Sequence, residues 1–395
     1  MKPYQIADKV YSVGVIDWNI RDFHGYTVPD GTSYNAFLIL DEKTVLIDTV
    51  KKEFTSKFID NISEIIDPKK IDIVVSNHTE MDHSGALPHI MIKIGNDKPL
   101  YCSKMGKKNL YLHFKQNWNF KEVENYGELN IGKKNLIFLE TRMIHWPDSM
   151  FTYIKEDGIL FSSDGFGQHY AGFEKYADKS EEDIFEHAKK YFANILLLYS
   201  PKIKKLISDI IGLNLNIKTI CPDHGLLWRK NPEKIIEAYI KWCDQIPEKK
   251  AVIIYDTMWK STKIIAEKIA EGIAESGVAV KPLKLRDTHR SDIIAELFDA
   301  KAVVVGSPTM NNNMFPTVAD ILTYIKGLKP QNKIGAAFGS YGWSGEAVKQ
   351  INQQLETIGI KPIDEGLRLL YIPDEEGQNK AFEYGKKIGE AVKAA

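Results

Sequence analysis

The stretch "SNHTEMDHSG", residues 76–85, decides what kind of domain the first half of the chain forms. It follows "DIVV", an apolar run typical of a buried β-strand, so His78 comes just after a strand end. His78, Glu80, Asp82 and His83 lie within six positions, where such groups repel one another or compete for protons. A bound cation would offset that repulsion. The stretch therefore predicts a metal site at a strand end, where layered α/β domains usually carry their chemistry.

Three further residues stand in a similar setting, each on a turn after an apolar run. His145 follows "LIFLETRMI", Asp164 closes "GILFSSD", and His224 lies in "TICPDHG". Any one of them alone would more often be a cap or a hydrogen-bonded loop residue. Taken together, however, four strand ends that all carry His, Glu or Asp are better explained by a site for two metal ions than by four separate loop residues.

The alternation of apolar runs with helical patches extends over the whole chain. Before a short polar hinge at Pro247–Lys250, strand-like runs with helices between them predict a layered α/β domain, residues 1–247. After the hinge, a new strand is expected at Ala251, and the alternation is more regular. It predicts a doubly wound parallel sheet of about five strands in a second domain, residues 251–395.

Composition limits the class of protein. The 395 residues suit two or three globular domains, and a formal net charge of -1 argues against a nucleic-acid partner. Three scattered cysteines can form neither a disulfide framework nor a CxxC metal site. No apolar run is long enough to cross a membrane, and the first residues lack a signal-peptide core. A cytoplasmic location is expected.

"HTEMDHSG", taken with "HWPDSM", "SSDGFGQH" and "CPDHG", resembles the metallo-β-lactamase-like domain of the flavodiiron proteins. The resemblance covers essentially the whole chain and implies an αββα sandwich. Glu80 stands where ordinary members of that superfamily carry a second histidine, and a carboxylate favours iron over zinc. The resemblance implies one iron on His78, Glu80 and His145, a second on Asp82, His83 and His224, and Asp164 between them. It leaves open whether His83 binds, because the matching histidine turns away in some relatives.

The second domain begins with "VIIYDTMWKSTKIIA", residues 252–266, which predicts a strand, a hydroxyl-rich turn and a helix. Such a turn directs hydroxyl and backbone N–H groups at one spot above a helix N-terminus, where a phosphate fits. It resembles the phosphate loop of flavodoxins, with Lys260 where many of them have glycine. The turn residues predicted to bind the cofactor are Thr257, Met258, Trp259, Ser261 and Thr262.

Two more loops follow the third and fourth predicted strands, at residues 307–316 and 340–347. Their amides suit the polar edge of an isoalloxazine, and Tyr341 and Trp343 suit its flat faces. The chain has no GxGxxG motif and no second nucleotide-binding unit, so FMN is expected rather than FAD or a nicotinamide. The predicted contacts here are Pro308, Thr309, Asn311, Asn312, Ser340, Tyr341, Gly342, Trp343 and Gly345.

The resemblance implies an oxidoreductase that reduces dioxygen to water at two irons, with electrons relayed through FMN. Reduction of nitric oxide to nitrous oxide is the alternative, and the external donor is either rubredoxin or the reduced deazaflavin coenzyme of methanogens. The resemblance also implies a head-to-tail homodimer, or a dimer of dimers. His24 is expected to lie near the open face of the metals as a hydrogen-bond donor; an ordinary loop histidine is the alternative.

Two other functions are compatible with parts of the pattern. One is a zinc or iron hydrolase with a flavodoxin-like regulatory domain; Glu80 argues against it, and a zinc-loaded, colourless protein would favour it. A flavin or gas sensor would bind gas without turnover, and the chain shows no segment that resembles a signalling output domain.

Overall fold

The computed structural model describes residues 2–395, which form two compact units. The first unit consists of the residues up to His24, Val28–Tyr191 and Tyr199–Cys243. The second consists of Gly25–Thr27, Phe192–Leu198 and Asp244–Ala395. The sequence-based boundaries, 1–247 and 251–395, included no such short inserted segments, and they stay a prediction.

The strands are short in the first unit and longer in the second. In chain order they are β1 (Tyr4–Ala7), β2 (Val10–Ser12), β3 (Val15–Asp17), β4 (Asp22–Phe23), β5 (Tyr26–Thr27), β6 (Thr32–Tyr34), β7 (Phe37–Ile39), β8 (Val45–Ile47), β9 (Ile73–Ser76), β10 (Pro99–Cys102), β11 (Asn119–Glu122), β12 (Glu128–Asn130), β13 (Asn135–Glu140), β14 (Met150–Ile154), β15 (Ile159–Phe161), β16 (Thr219–Cys221), β17 (Glu248–Tyr255), β18 (Ala279–Lys284), β19 (Ala300–Met310), β20 (Asn313–Met314), β21 (Ile334–Tyr341), β22 (Lys361–Pro362) and β23 (Leu367–Leu370).

The helices connect and cover these strands. In chain order they are α1 (Thr55–Ser63), α2 (Met81–Ser84), α3 (Leu87–Ile94), α4 (Lys104–Phe114), α5 (Ile184–Tyr191), α6 (Ser200–Gly212), α7 (Glu233–Asp244), α8 (Ser261–Glu275), α9 (Arg290–Asp299), α10 (Pro316–Leu328), α11 (Ala347–Ile358) and α12 (Glu375–Ala394). A π-helical turn, Phe192–Leu196, follows α5. Among residues 2–395, none of these helices has the length and apolarity that a membrane crossing requires.

The first unit is a sandwich of two sheets. One sheet has the order β1-β2-β7-β8-β9-β10-β11, and the other has the order β12-β13-β14-β15-β16. Successive residues of a strand face opposite sides, and β9 shows the consequence: Ile73 and Val75 pack between the two sheets, while Val74 packs under α1 and α3. Both faces of the strand are buried, as its continuous apolar run predicted. The αββα architecture is confirmed.

The second unit is a doubly wound parallel sheet, as predicted. Its five main strands lie in the order β18-β17-β19-β21-β23, all parallel, with β20 and β22 as short additions. Numbered along the chain this is 2-1-3-4-5, the flavodoxin-like order, in which ligands bind at the carboxyl ends of the strands. One expectation was wrong: β17 begins at Glu248, not Ala251, because the charged residues of the expected hinge already take part in the ladder with β18 and β19.

Candidate metal centre and cofactor cavity

The loop after β9 is fixed by buried hydrogen bonds that set the position of its histidines. Asn77 donates its backbone N–H and its side-chain amide to the two carboxylate oxygens of Asp48, at 2.7 and 2.8 Å. Its amide oxygen accepts from the Thr152 hydroxyl at 2.7 Å. The loop then turns into the single helical turn α2, which carries Asp82 and His83. The sequence did not single out Asp48.

The second sheet brings the other three residues to the same region. β13 and β15 each pair antiparallel with β14, and β16 pairs parallel with β15, so β13, β15 and β16 run in one direction. His145, Asp164 and His224 therefore follow carboxyl ends that lie at one edge of the sheet. The expectation that these turns present their side chains together agrees with their positions.

The first donor group consists of His78, Glu80, His145 and Asp164, with one nitrogen or oxygen from each within 4.8 Å of the others. Glu80 Oε2 lies 3.3 Å from His78 Nε2 and 3.4 Å from His145 Nε2. Asp164 Oδ2 lies 2.9 Å from His145 Nε2 and 3.4 Å from His78 Nε2. Two imidazole nitrogens and two carboxylate oxygens thus converge on one point.

The second donor group consists of Asp82, His83 and His224, under the same distance limit and fully buried. Asp82 Oδ2 lies 3.1 Å from the Nε2 atom of each histidine, and the two Nε2 atoms are 3.2 Å apart. His83 therefore points into this group.

Asp164 stands between the two groups. Its Oδ2 atom faces the first group, and its Oδ1 atom lies 3.2 Å from His83 Nε2 and 3.5 Å from His224 Nε2 in the second. One carboxylate that presents an oxygen to each of two donor groups has the geometry of a bridge between two ions.

The donor set fits two hard, redox-active cations. Asp82 Oδ1 and Asp164 Oδ1 are buried without a hydrogen-bond partner, which is costly unless a cation or another charge compensates. Burial alone would raise the pKa of Glu80, but His145 and His78 lower it to about 2. Burial likewise opposes ionisation of Asp164, yet His83 and His145 hold its pKa well below its ordinary value. Three carboxylates and four imidazoles suit iron.

Residues behind the histidines orient their rings, and the sequence did not identify them. His78 Nδ1 lies 3.3 Å from Asp148 Oδ2, an oxygen that also accepts from the Thr79 backbone N–H at 2.8 Å. His224 Nδ1 lies 2.8 Å from the Ser33 carbonyl oxygen. Carboxylates and carbonyls at these nitrogens leave Nε2 free to bind a metal. Asp148 is part of "HWPDSM". An acidic residue three positions after His145 is the sequence feature that could have identified it.

Asp223 occupies the corresponding place behind His83. Its carboxylate is fully buried, 3.8 Å from His83 Nδ1, and burial raises its pKa well above the ordinary value, helped by the charge of Asp48. The sequence feature that could have identified Asp223 is its position in "CPDHG", directly before His224.

A cavity of about 470 Å³ opens above both donor groups. His24 lines this cavity, 76% exposed, with Nε2 3.7 Å from Glu80 Oε1; its role as a hydrogen-bond donor stays a prediction. Lys51 and Trp146 also line this cavity. His169 belongs to neither donor group, and the centroid of its buried ring lies 4.7 Å from that of the His224 ring.

In the second unit, a cavity of about 310 Å³ lies at the carboxyl ends of the strands. Ten of the fourteen predicted contacts line it: Thr257, Met258, Trp259, Ser261, Pro308, Thr309, Ser340, Tyr341, Gly342 and Trp343. The other four, which do not line it, are Thr262, Asn311, Asn312 and Gly345.

The structure explains three of these positions. Thr262 is buried, and its hydroxyl lies 2.8 Å from that of Ser340, so it supports the loop that begins at Ser340 instead of lining the cavity. Asn311 and Asn312 form the turn of the β19–β20 hairpin, both in the left-handed conformation that asparagine tolerates.

Tyr371 lines the cavity and was missed. It follows the fifth strand, β23, and its ring would contact a Cβ atom placed on Gly342. The sequence feature that could have identified Tyr371 is an aromatic residue at the end of the predicted strand "LRLLY". Together with Trp259 and Trp343, which are 86% and 84% exposed, it gives the cavity an aromatic rim.

The N-terminus of α8 points its free backbone N–H groups toward this cavity from the turn after β17. No side chain caps this helix, and the Thr257 hydroxyl is buried without a hydrogen-bond partner. Lys260 adopts a left-handed conformation at the helix start, with φ of 71°, which glycine would adopt without strain. These features fit a phosphate that accepts from hydroxyl and amide groups.

Comparison with known proteins finds a matching family for each unit. Residues 32–225 match the ODP family of β-lactamases and residues 253–385 match flavodoxin. The nitric oxide reductase of Moorella thermoacetica is 43% identical over 99% of both chains. The structure of rubredoxin:oxygen oxidoreductase from Desulfovibrio gigas superposes with a TM-score of 0.97 at 40% identity, covering 100% of this chain and 99% of that one. The flavodiiron protein of Giardia intestinalis gives 0.95 at 33% identity, covering 100% and 97%.

Proposed function

Because this chain belongs to the flavodiiron family, we propose that it reduces dioxygen to water at a diiron centre, using electrons relayed through FMN. The observation that carries the proposal is the position of Asp164, whose two oxygens face two separate donor groups. Glu80 in the first group adds a second hard donor at the position that decides between iron and zinc.

The chain's own residues would hold the two irons in a fixed relation. His78, Glu80 and His145 would bind one iron and Asp82, His83 and His224 the other, with Asp164 shared. When bound, the irons and FMN supply the electrons, and the positions that these seven side chains leave open supply the binding site for gas. Asp148 would hold the His78 imidazole so that its Nε2 faces the metals.

Reduction of dioxygen to two waters consumes four electrons and four protons. Among the residues that line the cavity above the centre, His24 and Lys51 are the ones with titratable N–H groups. We assign His24 the role of a hydrogen-bond donor to the bound gas, since its imidazole is exposed to solvent and lies beside Glu80. Trp146 would exclude water on the opposite side.

The cavity in the second unit would hold FMN. Its phosphate would lie on the α8 N-terminus beside Thr257 and Ser261, and its ring would lie among Trp259, Trp343 and Tyr371. Large exposed aromatic side chains at a cavity mouth are typical of a surface that a partner covers. We propose a head-to-tail homodimer, with a dimer of dimers as the alternative, and an external donor that is either rubredoxin or a reduced deazaflavin coenzyme.

Nitric oxide is the second candidate substrate. A relative at 43% identity is a nitric oxide reductase, and the same centre could join two nitric oxide molecules into nitrous oxide and water with two electrons and two protons. Parallel steady-state assays with each gas, using one artificial reductant, decide between the two.

The first test is the content of iron, zinc and flavin per chain in protein purified without oxygen or added metal. About two irons and one FMN per chain, followed by gas consumption that depends on reductant, is the expected result. Two zincs would refute the redox function and favour a hydrolase. Gas binding without turnover would favour the sensor.

A pair of matched variants tests the role of Asp164. Asp164→Asn is expected to lose the stable iron pair, because an amide presents only one oxygen. Asp364→Asn makes the same chemical change in the second unit, where Asp364 accepts from Tyr384 and pairs with Lys387. It should keep both irons.

A further inference from the structure

The first unit contains a second large cavity, of about 450 Å³, on the outer face of the β12–β16 sheet. Leu160 of β15 projects into it, whereas its neighbours Ile159 and Phe161 pack between the two sheets. Helices α6 and α7 and the loop before β16 form the other walls. The apolar lining consists chiefly of Leu160, Phe166, Ile207, Ile210, Ile217 and Ile236.

The chemistry of the cavity restricts what it can hold. Its inner walls are buried: Leu160 is 0%, Ile207 3% and Phe166 4% exposed. The polar residues that border it, Asn214, Asn216 and Glu233, are exposed and lie toward solvent. A polar substrate would find no partner inside. The cavity opens to solvent on the side of these polar residues and of Ile211, which is 57% exposed, and its buried apolar wall suits small apolar molecules and xenon.

The inner wall of the cavity belongs to the segment that carries Asp164. Phe166 lies two residues beyond Asp164 and has a left-handed φ of 65°, a strained conformation for an aromatic residue. Two buried hydrogen bonds hold it there: its N–H donates to the Tyr239 hydroxyl at 2.8 Å, and its carbonyl accepts from Trp228 Nε1 at 2.9 Å. The loop that carries Asp164 therefore supplies Phe166 to the wall of the cavity.

We propose that this cavity is a reservoir for the diatomic substrate gas, which it concentrates beside the Asp164 loop. The inference rests on the proposed function. Dioxygen and nitric oxide are small, neutral and weakly polar, so they partition from water to the buried apolar wall of this cavity. Gas would reach the centre past Phe166, and the separate cavity at Glu80, lined by His24 and Lys51, would remain available for protons.

Xenon is the probe. Crystals of the iron- and FMN-loaded protein under xenon pressure should show anomalous density between Ile207 and Phe166. Ile207→Phe fills the cavity and should remove that density, and it should lower kcat/KM for the gas about fivefold while kcat at saturating gas is unchanged. Leu213→Phe is the matched control, because Leu213 is 41% exposed at the end of α6 and does not line the cavity.

Each outcome decides the inference. Absence of xenon from the wild-type cavity overturns it, and so does an Ile207→Phe variant that loses xenon but keeps its kcat/KM. Ile207→Ala enlarges the cavity and should bind more xenon without a fall in kcat/KM. This variant controls for the possibility that Ile207→Phe acts by distorting the fold rather than by filling the cavity. Xenon binding needs no turnover, so a protein that binds xenon here but reduces neither gas contradicts the proposed function, whereas an active enzyme with an empty cavity contradicts the reservoir.

Discussion

Replacing Asp148 by asparagine removes one negative charge from behind His78 and keeps the shape of the side chain. Asp148 is 1% exposed, its Oδ2 accepts from Thr79 and faces His78, and its Oδ1 accepts from Asn109 at 2.9 Å. An asparagine whose oxygen takes the Oδ2 position keeps the first two contacts. Its amide nitrogen then faces Asn109, which can rotate its own amide to present an oxygen.

The magnitude follows from the distance between the two groups. Two full charges separated by the 3.3 Å between Asp148 Oδ2 and His78 Nδ1 interact by about 5 kcal/mol at an effective dielectric constant of about 20. In the metal-bound state His78 presents only a polarised N–H, so a fraction of that energy is lost. Partners of this kind change metal affinity by about 10- to 100-fold, or about 1.4 to 2.7 kcal/mol.

The assay is an anaerobic competition for ferrous iron between the protein and a coloured chelator. The wild type should retain two tightly bound irons per chain, and Asp148→Asn should retain one and release the other about 10- to 100-fold more readily. Asp364→Asn serves as the remote control with the same chemical change. Equal weakening of both irons, or none, would refute the assignment of Asp148 to the His78 group.

Three other predictions test separate parts of the molecule. Glu80→His should shift the preference from iron to zinc in protein exposed to equal amounts of both, measured as metal per chain, because imidazole replaces a hard oxygen donor. Tyr371→Ser should weaken FMN binding about tenfold by fluorescence titration, because an aromatic contact contributes about 0.5 to 1.5 kcal/mol beyond its buried area; Ile372→Ser, at an exposed neighbour that does not line the cavity, should leave it unchanged. Burial lowers the pKa of Lys333 to about 8, so the folded chain binds fewer protons than the unfolded chain between about pH 8 and pH 10.5, and stability should rise with pH through that window by at most about 3 kcal/mol. Lys333→Met should abolish that rise in thermal unfolding, although it leaves the Phe298 carbonyl without its 2.7 Å donor; an unchanged pH profile would contradict the burial argument.

Much of the fold followed from local patterns in the sequence. Continuous apolar runs such as "DIVV" predicted buried strands, and the alternation after Ala251 predicted the parallel sheet, because side-chain period and burial are properties of neighbouring residues. The start of β17 was misplaced since ladder partners, not local polarity, decide where a strand begins. Helix α9, Arg290–Asp299, was not predicted at all.

The sequence by itself predicted which side chains carry the chemistry: His and carboxylate residues after four strand ends, and a hydroxyl-rich turn before a helix. Only the tertiary structure decided how they are combined. The two oxygens of Asp164 face different groups, Asp148 lies 70 residues from His78 in sequence yet contacts its ring, and Tyr371 completes a cavity that begins at Thr257. The physical reason is that residue type and spacing fix donor chemistry and strand ends, whereas the pairing of distant side chains depends on the strand order of each sheet and on how the two sheets of the first unit stack.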